Sequence, residues 1–313
     1  MKYIEFVNNI IKNEVSKHEK LVLFGQNIAA GSCLGGLTRG YPIPPNGKII
    51  NSTNSENSLC GFGFGMMMNG TSSVFFMKQL DFLLLSIDHL VNTFNIIRNH
   101  ENTASFTVFP IVVDNGFQGP QSSFNSFGDF CSIARIDGYT ITNSIDAEKI
   151  IQSKLVTSGF RIIAVSQRLF KEEIIEPEKL IYVNDNLDVF QYDEGNDVTV
   201  VCFNFSFPYG KKIVEKLKEK NFSCSLFNVN SPSLANWSKI ISDVSKTKKL
   251  IVVDDSKSAN LNCYHLISDV TEHVQLDKKI VLTRKIDDSK WLIPVDDQME
   301  INFEEIVNNI TNS

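Results

Sequence analysis

Residues 52–70 read "STNSENSLCGFGFGMMMNG": one carboxylate at Glu56, glycines at 61, 63, 65 and 70, and three consecutive methionines. Glu56 stands among Ser and Asn, where helices commonly begin, and an acid in the first turn is favoured by the helix dipole. Gly61 and Gly65 lie four apart, on one face of such a helix, and their missing side chains admit a close neighbour. On these residues alone the stretch is a capped, glycine-packed helix.

Outward from it, the chain alternates short β-branched runs with amphipathic stretches, the pattern of parallel α/β layers. Upstream, "KLVLFGQNI" (20–28) predicts a strand ending in a loop. Downstream, "MKQLDFLLLSIDHLVNTFNIIRN" (77–99) predicts a long helix, apolar nearly all round and therefore deeply buried. "FTVFPIVV" (106–113) is a strand, followed by the loop "DNGFQGPQSSFNS"; "YTITN" (139–143), the helix "DAEKIIQSKLVT" and "FRIIAVS" (160–166) complete one unit. The charged, turn-rich "KEEIIEPEKL" and "YDEGND" read as a linker crossed by a hairpin. Strands at 197–203, 222–229, 249–255 and 279–285 follow, separated by helices near 208–220, 234–245, 258–274 and 303–311. The expectation is an α/β protein of two domains, each a mostly parallel sheet with helices on both faces, over residues 1–170 and 196–313, with a linker at 171–195.

Composition narrows the function. Hydrophobic residues make up 42% of the 313, ample for buried cores, and the net charge is −6 without a Lys/Arg cluster. That balance argues against a nucleic-acid partner. The first residues carry Glu5, Lys12 and Glu14 among apolar neighbours and predict an amphipathic helix rather than a signal peptide. The longest apolar run, "FLLLSI" (82–87), is too short to span a bilayer, so a cytoplasmic protein without a membrane partner is expected. Six scattered cysteines without a CxxC pair are expected to be buried free thiols.

Motifs exclude more. No GxGxxG follows a strand, and no GxxxxGK[ST] is present. "GSCLGGLTRG" (31–40) reads as a flexible or ligand-lining loop. No His lies between 101 and 264, and the five histidines are not at metal-ligand spacing, so no metal site is expected on this chain. Asp254-Asp255 at a strand end are expected to be solvated or helix-capping.

The spacing E-x4-G-x3-G-x4-G from Glu56 through Gly61, Gly65 and Gly70, the "DF" at Asp81-Phe82 and "IDHLVN" (87–92) carry a resemblance. Together they resemble the beta subunits of thiamine-diphosphate-dependent 2-oxo acid dehydrogenases and the pyrimidine-binding domain of transketolase. "LVLFGQN" resembles that family's strand ending in Gly-Glu-Asp, and "GPQSS" (119–123) its later Gly-Pro loop. The second domain resembles the transketolase C-terminal domain in pattern more than in motif.

The resemblance implies a role for Glu56. Thiamine diphosphate reacts at its thiazolium C2, and its aminopyrimidine acts as base only in the imino form. A carboxyl group bonded to the far ring nitrogen promotes that form. By resemblance Glu56 is that catalytic, cofactor-binding acid, working best where an apolar neighbourhood desolvates it. Phe82, twenty-six residues on, matches the aromatic that stacks on the pyrimidine, and Leu85, one turn later, completes the pocket. Departures are also visible. Gln26 and Asn27 replace the strand-end acids, and Phe76 the second acid of the dehydrogenase subunits. The loop histidine is missing, its neighbourhood being occupied by Ser122, Ser123 and Asn125; these and Gln26 are the candidate substrate residues. No GDG…N metal motif is present, so the resemblance implies an alpha-type partner subunit that supplies the diphosphate and Mg²⁺ contacts in an α2β2 assembly.

Three functions fit these residues. The first is a beta-type subunit of a two-component thiamine-diphosphate enzyme, decarboxylating a 2-oxo acid or transferring a two-carbon ketol or acyl unit from a 2-oxo acid or ketose. The second is the C-terminal half of a split transketolase acting on ketose phosphates. The third is a non-catalytic scaffold subunit.

Overall fold

A computed structural model describes residues 1–100, 103–116, 124–231, 235–285 and 299–311. Strands β1 (Leu21–Gly25), β2 (Lys48–Asn51), β3 (Ser72–Met77), β4 (Ser105–Val112), β5 (Asp137–Ile141) and β6 (Gly159–Ser166) form one sheet. Its order is β2-β1-β3-β4-β6-β5, and every pairing is parallel. β3 and β4 are buried along nearly their whole length, as strands covered on both faces must be. Helices α1 (Tyr3–Val15) and α2 (Glu56–Met68) flank the early strands. The short α3 (Phe94–Ile97), then α4 (Phe127–Ala134) and α5 (Ser144–Lys154) follow. Side chains of α1 and α5 share a core on one face, while those of α2, the 80–97 region and α4 form the core on the other.

The second sheet holds β7 (Tyr182–Val183), β8 (Val189–Asp193), β9 (Val198–Phe203), β10 (Cys224–Val229), β11 (Lys249–Asp254) and β12 (Lys278–Thr283), in the order β12-β11-β9-β10-β8-β7. β7 and β8 pair antiparallel, and the other pairings are parallel except where β8 meets β10. Its helices are α6 (Phe207–Lys218), α7 (Ser238–Thr247), α8 (Cys263–His273) and α9 (Phe303–Thr311). The expected two-sheet α/β architecture is therefore present. The hairpin expected within 171–195 exists, and it adds both of its strands to the second sheet.

Residues 77–99 do not form one long helix. Met77 closes β3, a 3-10 helix runs Leu80–Ser86, and a π turn at His89–Thr93 leads into α3, with a bend of 72° between the two halves. Ser86 Oγ bonds the Leu83 carbonyl, Asn92 bonds Asp88 and His89 bonds Thr93, local contacts that compete with a regular ladder. Nor is the segment buried all round, since Leu84, Leu85 and Ile96 are exposed. Among the described residues no single helix is long and apolar enough to cross a membrane.

Of the two glycines expected to admit a close neighbour only Gly61 does, and the tightest approach on α2 is at a third, Gly63. Gly65 faces open space and Gly61 lies under the His89 ring, whereas a Cβ on Gly63 would come within 2.2 Å of the Phe106 ring. The buried stripe of α2 is Cys60, Gly63, Phe64 and Met67, laid on the stacked Phe24, Phe75 and Phe106. Asp254 and Asp255 are fully buried rather than solvated; Asp254 caps the approach to α8 through the Ser256 and Cys263 N–H groups. Five cysteines are buried, Cys33 is half-buried, and all are free.

Candidate functional site

Parallel strands end their carbonyl tips on one edge, and a ligand crevice opens there where neighbouring strands send their connections in opposite directions. In the first sheet that point lies between β1, which leads outward to β2, and β3, which leads to β4. Three of the expected residues gather at this edge. Gln26 follows β1 and is half-buried, Glu56 opens α2 just after β2, and Phe82 sits in the 3-10 helix just after β3, half-buried. Gly25 lets the two central strands close at this point: its φ is +148°, and a Cβ there would lie 2.2 Å from the Phe76 carbonyl oxygen.

Glu56 lies four residues before Cys60, at the head of the buried stripe of α2. The residue is half-buried; its carboxylate makes no hydrogen bond or ion pair among the described residues and acts on the Cys60 thiol one turn below. Cys60 Sγ in turn donates to Ser86 Oγ at 3.3 Å, pinning α2 to the end of the 3-10 helix that carries Phe82. Burial pushes the Cys60 thiol up to about 12, so it packs as a neutral group. Leu85 is 56% exposed on the face of Phe82, three residues on.

Asp81, adjacent to Phe82, was matched in sequence only as half of a dipeptide. It is 1% exposed; the Phe124 N–H bonds its carboxyl, and among the described residues Oδ2 has no hydrogen-bond partner. Burial pushes the carboxyl up to about 7, against the pull of that N–H and of the Lys257 ammonium. Lys257, only 6% exposed, comes from the loop after β11 and donates to the Gly116 carbonyl beyond β4.

Asn125 is elsewhere. It is 1% exposed, with Nδ2 donating to the Asp255 carbonyl at 2.7 Å and Oδ1 accepting from Asn204 at 2.8 Å. The amide is spent on the contact between the two sheets. Ser122 and Ser123 lie outside the described residues.

A second polar cluster ties the sheets together at the carbonyl edge of β9 and β11. Arg168, just past β6, donates to Asp255 at 2.8 Å and lies 3.5 Å from Asp114 beyond β4. Burial works against the Arg168 charge, but the two aspartates outweigh it and hold the guanidinium above its usual range. Asp255 also accepts from Asn204 and from the Phe205 N–H. A third cluster surrounds Asp146 at the start of α5, whose carboxylate accepts from Thr142, Asn143 and Asn230. Only the Asp254-Asp255 pair was visible in sequence as a polar strand end. The same signal, a polar residue just past an apolar run, marks Asp114 and Arg168.

No family model matches the chain. It is 21% identical over 262 residues to the pyruvate dehydrogenase E1 component subunit beta, mitochondrial, of Dictyostelium discoideum, covering 80% of this chain and 72% of that protein. A split-gene transketolase described as an inactive beta4 tetramer superposes with a TM-score of 0.67 at 11% identity, over 98% of this chain and 96% of that one. A transketolase from Campylobacter jejuni superposes with a TM-score of 0.69 at 11% identity, over 99% of this chain and 46% of that one. These are the two groups of proteins that the Glu56–Asn92 block resembles. The chain is similar to the dehydrogenase beta subunit along most of its length, and it has the fold found in transketolase.

Proposed function

We propose that the chain is a beta-type subunit of a two-component thiamine-diphosphate-dependent enzyme, with Glu56 as the acid that engages the cofactor's pyrimidine. The observation that carries this reading is the placement of Glu56. It is a half-buried carboxylate without a hydrogen-bonding partner among the described residues, beside a strand-switch crevice, on a helix pinned to the segment bearing Phe82. The residues fit the group: an acceptor for a ring nitrogen, a half-buried aromatic for the ring face, and Gln26 on the neighbouring loop. When bound, the cofactor supplies a carbanion-forming centre for cleavage or transfer next to a carbonyl.

The chain's own residues bind and orient. Glu56 holds a proton at the pyrimidine edge, Phe82 packs against the ring, and exposed Leu85 extends the apolar wall. Among the described residues no cluster of three His, Cys, Asp or Glu side chains is placed for a metal. In this reading Mg²⁺ and the diphosphate are held by an alpha-type partner in an α2β2 assembly. The substrate is a 2-oxo acid or a ketose, met in this reading through Gln26, Ser122 and Ser123.

The test is Glu56→Gln in the complex with its co-purified partner. Turnover should fall at least a hundredfold while the melting temperature of the lone chain stays within a degree or two. Activity within a few-fold of the parent sinks the assignment. A second reading, a non-catalytic scaffold, is favoured by one observation: Asn125, in the neighbourhood of the family's loop histidine, is turned into the contact between the sheets. Calorimetry of the complex with thiamine diphosphate and Mg²⁺ separates the two, since a scaffold gives no binding heat.

A further inference from the structure

A buried carboxyl normally has both oxygens satisfied, and an orphan is retained against a free-energy cost. Asp81 breaks that rule. The Phe124 N–H ties it to the chain beyond β4, while among the described residues Oδ2 has no hydrogen-bond partner and the side chain is closed to solvent. It follows β3 at the switch point and directly precedes Phe82, on the 3-10 helix that Cys60 pins to the Glu56 helix. The charged side chain that acts on it is Lys257.

Packing does not explain the residue. Leu80 and Leu83 beside it are fully buried, and an apolar residue at 81 would join their core without an unmet oxygen. Burial also disfavours the charged form, so the chain carries a destabilising group one residue from its candidate ring-stacking aromatic. A buried, incompletely bonded carboxyl beside a crevice is a candidate for completion by a ligand.

We propose that Asp81 is a second acid of this site, whose unpartnered oxygen takes a hydrogen bond from an amino or hydroxyl group of the bound ligand. This rests on the reading of the site given above. Asp81 then works beside Glu56 rather than in its place: Glu56 stands after β2 and Asp81 after β3, on opposite sides of β1.

The test pairs stability with binding in Asp81→Asn, with Asp81→Ser as the second variant should the first fail to fold. The folded-state carboxyl titrates near 7 against 3.8 when unfolded, so its burden is absent below pH 4 and complete above pH 7. The lone variant chain should therefore melt several degrees above the parent at pH 8, with the gain vanishing near pH 4. In the complex with the co-purified partner, its affinity for thiamine diphosphate with Mg²⁺, measured by calorimetry, should fall at least tenfold. Binding within twofold of the parent overturns the inference, as does a variant chain less stable than the parent at pH 8. A parent complex that binds no thiamine diphosphate overturns the site reading itself and this inference with it. A parent that binds and an Asp81→Asn complex that binds equally well overturn only the latter.

Discussion

The two sheets carry the same device and use it in opposite ways. In each, two central parallel strands send their connections apart, β1 and β3 in the first and β9 and β11 in the second. At the first crevice Gln26 and Phe82 are half-buried and, among the described residues, the Glu56 carboxylate is unpaired and one oxygen of Asp81 is orphaned. At the second, Asn125 and Arg168 reach over from the first domain and engage Asp255, which Asn204 and the Phe205 N–H also contact. At one crevice the carboxylates keep spare hydrogen-bonding capacity among the described residues, and at the other the Asp255 carboxylate is taken up in contacts between the domains, although Asn204 Oδ1 and Arg168 Nε there also lack a hydrogen bond. The topology that makes a ligand site therefore does not oblige a domain to keep one.

The contrast is broken most severely at its open end. Glu56→Gln removes the proposed proton-holding group without changing its shape, and turnover of the complex should fall at least a hundredfold, with the urea midpoint of the lone chain unchanged. A large loss of stability instead would make Glu56 a structural cap and erase the difference between the two crevices.

The filled crevice should answer in the other currency. Arg168→Met removes the guanidinium that bonds Asp255 and lies beside Asp114, leaving Arg284 as the other cation acting on Asp255; breaking a buried pair typically costs about 3–5 kcal/mol. Urea denaturation followed by circular dichroism should show the loss, with a lower midpoint or a split transition as the domains uncouple. A midpoint within error of the parent would mean that the Arg168 network does not hold the sheets.

How far these differences can be read in sequence follows from the physics of each. The strands were legible because burial on both faces demands unbroken apolar runs such as "VTVVCF" and "KLIVVD". The 77–99 helix was misread because a segment apolar at every phase has no period to distinguish a helix from a bent, partly exposed chain. Glu56 stands out in sequence as a candidate through its spacing to Gly61, Gly65 and Phe82, while its half-buried, unpaired placement among the described residues is a property of the fold. The plug was not, because Asn125 and Asp255 are 130 residues apart and Arg168 and Asp255 are 87 apart. Asp81 was visible only as a letter in a motif, since burial and a missing partner are properties of the folded chain.

A milder change sharpens the ligand side. Phe82→Ala removes the ring proposed to stack, and aromatic stacking contributes about 0.5–1.5 kcal/mol beyond area. The dissociation constant of thiamine diphosphate from the complex should rise roughly three- to tenfold, while the variant keeps measurable turnover at saturating cofactor. Unchanged affinity would return Phe82 to simple packing between α2 and its neighbours.

The finest comparison lies within α2, between two glycines that the sequence cannot rank. A methyl group on Gly63 meets Phe106 Cε2 at 2.2 Å, inside a stack of rings that includes Phe24, Phe64 and Phe160. The ring has no free direction in which to withdraw, so Gly63→Ala should cost about 1–3 kcal/mol. A methyl on Gly65 meets nothing within 4 Å, and replacing a helical glycine by alanine there should stabilise the lone chain by about 0.5–1 kcal/mol. Thermal melts of the isolated chain measure both. The Gly65 variant should then be mixed with the partner subunit. Exposed Phe62 and Met68 lie on the same helix, and a chain that is more stable alone yet assembles less well would show that this open face is covered in the complex. Equal assembly would leave Gly65 as a plain surface position, and the close approach of α2 to the sheet would rest on Gly63 alone.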